Sequence, residues 1–249
     1  MRNLFSLDGR IALVTGASRG LGFAMAAALK QHGAHVIINS RAGAALHEAA
    51  ERIGAEAMAI DVTDAKASRA ALEAIAAKHG RFDILVNNAG IQHRRPIAEW
   101  EDADFDRVIA TNLTSCFRLS RDAVGLMRSN QFGRIINTGS VGAILGRPTI
   151  HAYIAAKAGL HGLTRSMAAE VGREGITVNA LAPGYFATEL NAALLQDQAF
   201  TAWVEKRTPA GRWARPEELG GAVVFLASAA GAYVNGHVLA VDGGLSTSL

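Results

Sequence analysis

The sequence predicts an α/β fold in which a seven-stranded parallel sheet is covered by helices on both faces, the doubly wound arrangement. Short runs rich in Val and Ile alternate along the chain with longer, Ala-rich stretches of helical periodicity. Continuous apolar runs are typical of strands buried on both faces, and the alternation is typical of strands joined by crossover helices. A chain of 249 residues, 50% of them hydrophobic, can bury the large core that such a domain needs.

The apolar runs and the periodic stretches place the individual elements. We expect strands at residues 11–15, 35–39, 57–60, 84–87, 134–138, 177–181 and 238–241. We expect helices near residues 21–32, 42–53, 65–78, 102–129, 152–170 and 216–226. Gly33, Gly80 and Gly175 stand where helices stop, and Pro216 opens the last helix at a position where proline is tolerated.

Residues 183–215 form a long connection after the sixth predicted strand, and they contain no predicted strand. A connection this long inside a compact domain is usually functional or disordered. Ligands of open parallel sheets bind at the carboxyl ends of the strands, where this connection begins. We therefore expect one domain over residues 1–249, with residues 183–215 as a substrate lid.

Composition and charge exclude several classes of function. The formal net charge is only +3 and the Lys and Arg residues are scattered, so no nucleic-acid partner is expected. No apolar run approaches the roughly 18–20 residues of a membrane span, and the N-terminus lacks the apolar core of a signal peptide. Cys116 is the only cysteine, and the eight histidines show no metal-ligand spacing. We expect a cytoplasmic protein with a small-molecule partner, no membrane contact and no metal.

A glycine-rich turn, TGASRGLG over residues 15–22, connects the first predicted strand to the first helix. Glycines permit a tight turn and a close backbone approach, and a helix N-terminus offers free N–H groups to a pyrophosphate. An ordinary strand-to-helix turn is the alternative, because the spacing differs from G-x-G-x-x-G. The strand before the turn and the helix after it favour a dinucleotide site, formed by Gly16, Ser18, Arg19, Gly20, Leu21 and Gly22.

The end of the second predicted strand indicates which dinucleotide would bind. An NAD enzyme places Asp or Glu there to hold the ribose 2′-hydroxyl, whereas this chain has Asn39, Ser40 and Arg41. No carboxylate would repel a 2′-phosphate, and the guanidinium of Arg41 could pair with one. Arg19 could approach the same phosphate from the glycine turn. Two merely solvated arginines are the alternative, and the pattern favours NADP(H) over NAD(H).

Four polar residues make a candidate catalytic group. Tyr153 and Lys157 are four apart in a helical stretch, so both side chains emerge on one face, and a neighbouring ammonium favours the phenolate form of a tyrosine. A simple helix-surface pair is the alternative. Ser140 follows the fifth strand at the ligand-binding edge of the sheet. Asn112 lies inside a predicted helix, an awkward place for a short amide unless it has a buried partner.

These motifs resemble those of the short-chain dehydrogenase/reductase family, in order and spacing, over essentially the whole chain. The matching positions are residues 15–22, 87–90, Asn112, Ser140, Tyr153, Lys157 and 183–184. The resemblance implies a Rossmann domain in which Tyr153 exchanges the substrate proton and Lys157 binds the nicotinamide ribose. It also implies that Ser140 holds the substrate oxygen and that Asn112 anchors a proton-relay water. Such enzymes are commonly homotetramers.

The same resemblance assigns further cofactor contacts. Asp61 and Val62 would flank the adenine, Asn87 and Gly90 would line the adenosine side, and Thr188 would hold the carboxamide. Besides the glycine turn and residues 39–41, the implied cofactor-binding set is Asp61, Val62, Asn88, Ala89, Gly90, Tyr153, Lys157, Pro183, Gly184, Phe186 and Thr188.

Within this family the chain looks most like the gluconate 5-dehydrogenases. The similar segments are residues 4–7, 87–92, 184–189, 200–203 and 206–213. A substrate carboxylate would find a cation among Arg94, Arg95, Lys206, Arg207 and Arg212. The expected substrate-binding residues are Gly142, Ser140, Tyr153 and Arg94.

The segment after Ser140 departs from that resemblance. Gluconate 5-dehydrogenases typically have polar residues there, whereas residues 141–145 read VGAIL. An apolar wall serves several substrate hydroxyls poorly, so a less polar 2- or 3-oxo acid, a polyol or a ketone is an alternative substrate. The alternative activities are 3-oxoacyl-[acyl-carrier-protein] reduction and, without catalysis, NADP(H) sensing or scaffolding.

Aromatic side chains outside these motifs have structural interpretations. Trp100, Trp203 and Trp213 are expected to anchor the core or an interface rather than stack on a cofactor. His151, two positions before Tyr153, could line the substrate pocket.

Overall fold

The computed structural model describes residues 3–41 and 43–247, and a seven-stranded sheet lies at its centre. All neighbouring strands are parallel, in the order β3-β2-β1-β4-β5-β6-β7. The strands are β1 (Ile11–Val14), β2 (His35–Ser40), β3 (Glu56–Ala59), β4 (Ile84–Asn87), β5 (Gly133–Thr138), β6 (Ile176–Pro183) and β7 (Val238–Val241). The strand order reverses between β1 and β4, which opens a crevice at their carboxyl ends. The predicted fold class is confirmed.

Helices cover both faces of the sheet. They are α1 (Gly20–Gln31), α2 (Ala44–Ile53), α3 (Ala65–His79), α4 (Asp102–Ile109), α5 (Ser115–Arg128), α6 (Gly142–Leu145), α7 (His151–Val171), α8 (Ala192–Gln196), α9 (Gln198–Arg207) and α10 (Gly220–Ala227). Short 3-10 turns lie at Ile97–Glu99, Gly172–Glu174, Glu189–Asn191, Pro216–Leu219 and Ala229–Gly231. Among the described residues, no helix combines the length and the apolar character that crossing a bilayer requires.

The inner strands are largely apolar because each face of the sheet packs against its own helices. Successive strand residues point to opposite faces, so Leu13 and Val14 belong to different core clusters. Val14 packs in the cluster that contains Met25 of α1 and residues of α2 and α10. Leu13 packs in the cluster that contains Leu119 of α5 and residues of α3 and α7. This two-sided burial explains why the strands read as continuous apolar runs.

Several element boundaries differ from the prediction. The helix expected over residues 102–129 contains a π turn at Ala110–Thr114, which separates α4 from α5. Pro216 opens a 3-10 turn before α10 instead of opening the α-helix itself. α6 was not predicted, and the predicted start of α2 at Ala42 lies outside the described residues. Gly80 and Gly175 end their helical turns in the left-handed conformation, as expected.

Residues 183–215, the lid segment, begin at the last residue of β6 and contain α8 and α9. As predicted, no strand starts within the described part of this segment, although Phe186 and Ala214 form an isolated bridge. Two backbone bonds close its base, from Ala187 N to Ala214 O at 2.9 Å and from Ala214 N to Tyr185 O at 2.9 Å. The segment is therefore a helical excursion whose two ends are tied together.

A buried carboxylate links β1 and β4 at the amino ends of these strands, on the side of the sheet away from the crevice. The side chain of Asp83 is 0% exposed and accepts hydrogen bonds from Arg10 at 3.1 Å and from Arg81 at 2.6 Å. Its second oxygen accepts the backbone N–H of Ile11 at 3.0 Å. Because a buried charge needs such partners, Asp83 and both arginines stabilise the sheet as a unit.

We expect Asp83→Ala to lower the free energy of unfolding by about 3 kcal/mol, because it leaves a partly buried guanidinium and a strand N–H without an acceptor. Urea unfolding followed by circular dichroism measures this change. Glu174→Ala is the matched control, since it removes the carboxylate of a surface pair with Arg128. Equal urea midpoints for the two variants would contradict this interpretation of Asp83.

Candidate active site

A large cleft lies at the carboxyl ends of the strands and has a volume of about 1510 Å³. Its walls come from the segments that follow β1, β2, β3, β4, β5 and β6, from the end of α4, from α7 and from the lid segment. Apart from Asn87, the lining includes every residue predicted to contact the cofactor, and it also includes the three catalytic candidates Ser140, Tyr153 and Lys157. Residues from distant parts of the sequence therefore meet in one cavity.

The turn between β1 and α1 packs directly on the segment after β4. Gly16 has φ +61, and a Cβ atom at this position would lie 2.7 Å from the Cα of Ala89. Asn88 donates from Nδ2 to the carbonyl oxygens of Thr15 at 2.9 Å and Gly16 at 3.0 Å. A Cβ atom on Gly22 would lie 2.4 Å from that same amide nitrogen. Glycine is thus required at positions 16 and 22 by contacts within the protein as well as by the adjoining cleft.

Asn39 leaves a free acceptor at the second-strand side of the cleft. Its side chain is buried, and Nδ2 donates to the carbonyl oxygens of Met58 and Ile60, each at 3.0 Å. In the described part of the chain, its Oδ1 has no hydrogen-bond partner. Buried polar atoms are normally paired, so this oxygen fits a donor on a bound ligand.

The charged groups around this side of the cleft are two arginines and two carboxylates. Asp61 accepts hydrogen bonds from Thr63 N and Oγ1, which together with the charge of Arg41 lower the pKa of Asp61. Arg19 of the glycine turn pairs with Glu189 of the lid segment, with 3.4 Å between Nε and Oε2. The carboxylates are thus engaged, and no carboxylate occurs within residues 39–41.

Tyr153 and Lys157 emerge from one face of α7, as their spacing predicts, and both line the cleft. Lys157 is 3% exposed, and its Nζ donates to the carbonyl oxygen of Thr138 at 2.6 Å. The same nitrogen lies 5.6 Å from the ring centroid of Tyr153. Ser140, just after β5, accepts the N–H of Gly142 on its Oγ at 3.0 Å, which leaves its own hydroxyl hydrogen available.

Asn112 lies behind the cleft lining, in the π turn between α4 and α5. Its side chain is fully buried, accepts the N–H of Ile91 at 2.9 Å and donates to the carbonyl oxygen of Ile91 at 2.9 Å. The buried partner that an amide inside a helix requires is therefore the backbone after β4. A π turn widens the helix locally and is frequent at functional sites.

Two residues expected to line the cleft lie elsewhere. Asn87 does not reach the adenosine side, because it is buried and its Nδ2 donates to Ser120 Oγ and Asn137 Oδ1, each at 2.9 Å. His151 is not on the lining either, since its ring packs edge-on against Trp100, with 6.1 Å between the ring centroids. Asn87 instead ties β4 to β5 and α5.

Three aromatic residues that were not assigned to the site from the sequence line the substrate side of the cleft, namely Tyr185, Phe200 and Trp203. Together with Trp213, which is not on the lining, they form the aromatic cluster, in which the ring centroids lie 5.3–6.2 Å apart. Trp203 lines the cleft and is 47% exposed, so part of its surface faces the substrate side, and its role as a core or interface anchor stays a prediction. The three aromatic residues between positions 200 and 213 of the expected lid were the feature of the sequence that could have indicated an aromatic substrate side.

Of the cations proposed to bind a substrate carboxylate, some lie on or beside the cleft lining and others lie away from it. Arg207 lines the cleft, and Arg94 lies beside it, donating to Oε1 of the lining residue Gln92 at 2.8 Å. Arg212 is paired with Glu218 at 2.7 Å. Arg95, Lys206 and Arg212 are not part of the lining. Arg147, which also lines the cleft, was missed, although a cation between Ser140 and Tyr153 could have indicated it.

The apolar wall is only partly present. Val141, Gly142 and Leu145 line the cleft, whereas Ala143 and Ile144 do not. Val141 is 6% exposed and packs with Ala182 and Leu245, so its side chain is largely turned into a small core. The substrate side is thus less apolar than the sequence of residues 141–145 indicates.

A cluster of possible metal ligands, His35, Glu56 and His79, lies at the amino ends of β2 and β3, away from the cleft. Glu56 Oε1 is 2.8 Å from His35 Nε2 and 3.4 Å from His79 Nε2, and Glu56 Oε2 accepts from Lys78 Nζ at 2.7 Å. The Lys78 hydrogen bond is the main cause that lowers the pKa of Glu56. Because the lysine already neutralises the carboxylate, we interpret the cluster as an ion-pair network. The expectation of no metal stays a prediction.

Comparisons with known proteins agree with this geometry. The family model described as Enoyl-(Acyl carrier protein) reductase matches residues 16–246. The chain is 46% identical over 252 residues to a gluconate 5-dehydrogenase of Gluconobacter oxydans (strain 621H), covering 99% of this chain and 98% of the relative. It is 43% identical over 242 residues to the 3-oxoacyl-[acyl-carrier-protein] reductase of Vibrio harveyi, covering 96% and 98%.

One solved structure is directly informative about ligands. It is the crystal structure of a gluconate 5-dehydrogenase from Burkholderia cenocepacia J2315 in complex with NADP and tartrate. It matches with a TM-score of 0.95 and 45% identity, covering 99% of this chain and 98% of the other. The predicted NADP(H) cofactor agrees with the NADP in that structure.

The chain therefore belongs to the short-chain dehydrogenase/reductase family. Within it, the protein is a gluconate 5-dehydrogenase-like oxidoreductase of the class that acts on CH–OH groups. The predicted family and enzyme class are confirmed.

We expect Gly16→Ala to destabilise the protein more than Gly54→Ala does. Both positions have left-handed backbones, with φ +61 and φ +63, so each substitution costs about 1–2 kcal/mol in backbone strain. A Cβ atom on Gly54 meets nothing closer than 3.8 Å, whereas one on Gly16 collides with Ala89 and adds about 1 kcal/mol or more. Urea unfolding of the two variants measures the difference, and equal losses would argue against the close approach at Gly16.

Proposed function

We propose that the protein interconverts a secondary alcohol and a ketone with NADP(H), on a sugar acid such as gluconate or 5-keto-D-gluconate. The observation that carries the proposal is the convergence of Tyr153, Lys157 and Ser140 on one wall of the cleft that the glycine turn also lines. The substrate class rests on the relatives of 45–46% identity named for these compounds.

The residues around the cleft fit NADP(H). The turn at Gly16 and the start of α1 offer backbone N–H groups to a pyrophosphate, and Asn39 Oδ1 is a free acceptor beside the second strand. Residues 39–41 carry no carboxylate that would repel a 2′-phosphate, and Arg41 is available to pair with it. When bound, the nicotinamide supplies or takes the hydride at the carbinol carbon.

The chain's own residues then move the proton and hold the substrate. Tyr153 donates its phenolic proton to the ketone oxygen during reduction and takes it back during oxidation. Lys157, fixed on Thr138 O, places a positive charge 5.6 Å from the centroid of the Tyr153 ring. Ser140 donates its free hydroxyl hydrogen to the same substrate oxygen, because Gly142 already occupies a lone pair of Oγ. Asn112 holds the backbone at Ile91 and, with it, the position of a relay water.

A second candidate is reduction of a 3-oxoacyl group carried on an acyl carrier protein. The apolar side chain of Leu145 on the lining favours it, as does the Vibrio harveyi relative of 43% identity. The cations and polar aromatic residues on the same side favour a small carboxylic acid instead. A non-catalytic sensor or scaffold has no need of the Ser140, Tyr153 and Lys157 arrangement, which argues against that alternative.

We also propose that the enzyme is a cytoplasmic homotetramer and that the lid segment closes over the substrate. Phe105 of α4 and Phe117 of α5 are 39% and 43% exposed, and burial in an assembly would remove this apolar surface from water. A single free, buried thiol at Cys116 suits a reducing compartment. The Arg19–Glu189 pair links the lid segment to the glycine turn, so cofactor binding at that turn can influence closure.

We expect Tyr153→Phe to lower kcat/KM for 5-keto-D-gluconate by about 100-fold or more, because the proton donor is removed. The Kd of NADPH should change little, since the ring is retained. Absorbance at 340 nm measures turnover, and NADPH fluorescence titration measures binding. Tyr233→Phe is the matched control, because this tyrosine is fully exposed.

Undiminished turnover by Tyr153→Phe would contradict the proposed acid/base role. Acetoacetyl thioester turned over in preference to 5-keto-D-gluconate would select the carrier-protein reductase. NADPH binding without oxidation across sugar acids, polyols, oxo acids and thioesters would select the non-catalytic alternative.

We expect Arg41→Ala to weaken NADPH binding about 10- to 100-fold and to leave NADH binding nearly unchanged, because only NADPH presents the 2′-phosphate. Fluorescence titration with both nucleotides measures the two Kd values. Arg173→Ala is the control, since Arg173 is exposed and lies outside the cleft lining. An equal loss for both nucleotides would mean that Arg41 does not recognise the 2′-phosphate.

A further inference from the structure

The segments that carry Arg94 and Arg147 lie side by side at the substrate side of the cleft, since Arg95 N donates to the carbonyl oxygen of Thr149 at 3.0 Å. Arg94 donates to Oε1 of the lining residue Gln92 at 2.8 Å, and the charge of Arg147 contributes, after withdrawal from water, to a lowered pKa of Arg94. Arg147 lines the same cleft as the catalytic candidate Tyr153. In the described part of the chain, neither Arg94 nor Arg147 forms an ion pair with Asp or Glu.

Arg147 is held in place by rings rather than by an acid. Its guanidinium carbon lies 4.8 Å from the centroid of Phe200 and 5.7 Å from that of Tyr185, both in the aromatic cluster. Stacking on an aromatic face orients a guanidinium and leaves its N–H donors free at the edge of the plane. Arg147 lines the cleft, so these donors are available to a ligand there.

The remaining carboxylates of the lining are already engaged. Asp61 accepts from Thr63, and Glu189 pairs with Arg19, both at the cofactor side. Like charges held close together in a partly desolvated site are unfavourable unless an anion joins them. An anionic ligand would thus gain two cationic partners without displacing an existing ion pair.

We propose that Arg147, together with Arg94, forms a carboxylate-binding subsite that selects acidic over neutral substrates. A planar fork of N–H donors matches a carboxylate, and bidentate pairing adds geometric specificity. This inference rests on the proposed function and deepens it, because it assigns the acidic end of a sugar acid to one named side chain. It also assigns a role to the aromatic cluster of the lid segment: Phe200 and Tyr185 position Arg147 and do not touch the reacting atoms.

The subsite is tested by a pair of substrates that differ only at the carboxylate. 5-Keto-D-gluconate is the acid, and L-sorbose is its neutral counterpart with CH₂OH in place of the carboxyl group. We expect Arg147→Met to lower the ratio of kcat/KM for the acid over the neutral ketone about 10- to 100-fold, mainly through the KM of the acid. Arg147→Lys should lose less, since it keeps the charge but not the fork.

The matched control is Arg52→Met. Arg52 also stacks on a ring, 4.5 Å from the centroid of Phe23, but it lies on α2 and is not part of the cleft lining. Its ratio should equal that of the wild type. Thermal unfolding and NADPH titration of each variant show that the fold and the cofactor site are retained.

A binding experiment separates failure of this subsite from failure of the proposed function. Calorimetric titration of the NADP⁺ holoenzyme with gluconate and with tartrate needs no turnover. Carboxylate binding that Arg147→Met weakens about 10-fold or more supports the subsite even if 5-keto-D-gluconate is not reduced. An unchanged Kd for both acids in Arg147→Met, or no carboxylate binding by the wild type, would overturn it.

Discussion

The hydrogen bond from Lys157 Nζ to the carbonyl oxygen of Thr138 is the interaction on which the catalytic site depends. A buried ammonium is costly unless its donors are used, and here the acceptor is the last residue of β5. The bond fixes α7 against the carboxyl edge of the sheet. It therefore sets the position of Tyr153, one turn earlier on the same helix, relative to Ser140 after the strand. The sheet positions one partner and the helix positions the other.

The two sides of the cleft are built by different kinds of contact. On the cofactor side, backbone meets backbone: the glycine turn rests on the segment after β4, and Asn88 bonds it in place. On the substrate side, long side chains dominate, with Arg147 stacked on Phe200. Backbone contacts tolerate few substitutions, whereas side-chain contacts can change with little effect on the fold. This difference is consistent with one fold serving relatives that are named for different substrates.

The sequence was most informative where the physics is local. Strands buried on both faces are largely apolar, which made the runs of the inner strands easy to find, and all seven predicted strands are present. The spacing of Tyr153 and Lys157 required only helical periodicity. The π turn at Ala110–Thr114 was not predictable, because it depends on the bonds that Asn112 makes with a segment twenty-one residues away. The positions of His151 and Arg147 also depended on tertiary neighbours, Trp100 and Phe200, that periodicity does not reveal.

The most direct test of this arrangement is a crystal structure of the ternary complex with NADP⁺ and gluconate. We expect Tyr153 Oη and Ser140 Oγ both to lie within about 2.6–3.2 Å of one substrate oxygen, with Lys157 Nζ still bonded to Thr138 O. A substrate oxygen that contacts neither hydroxyl, or a Lys157 side chain that has left Thr138 for solvent, would contradict it.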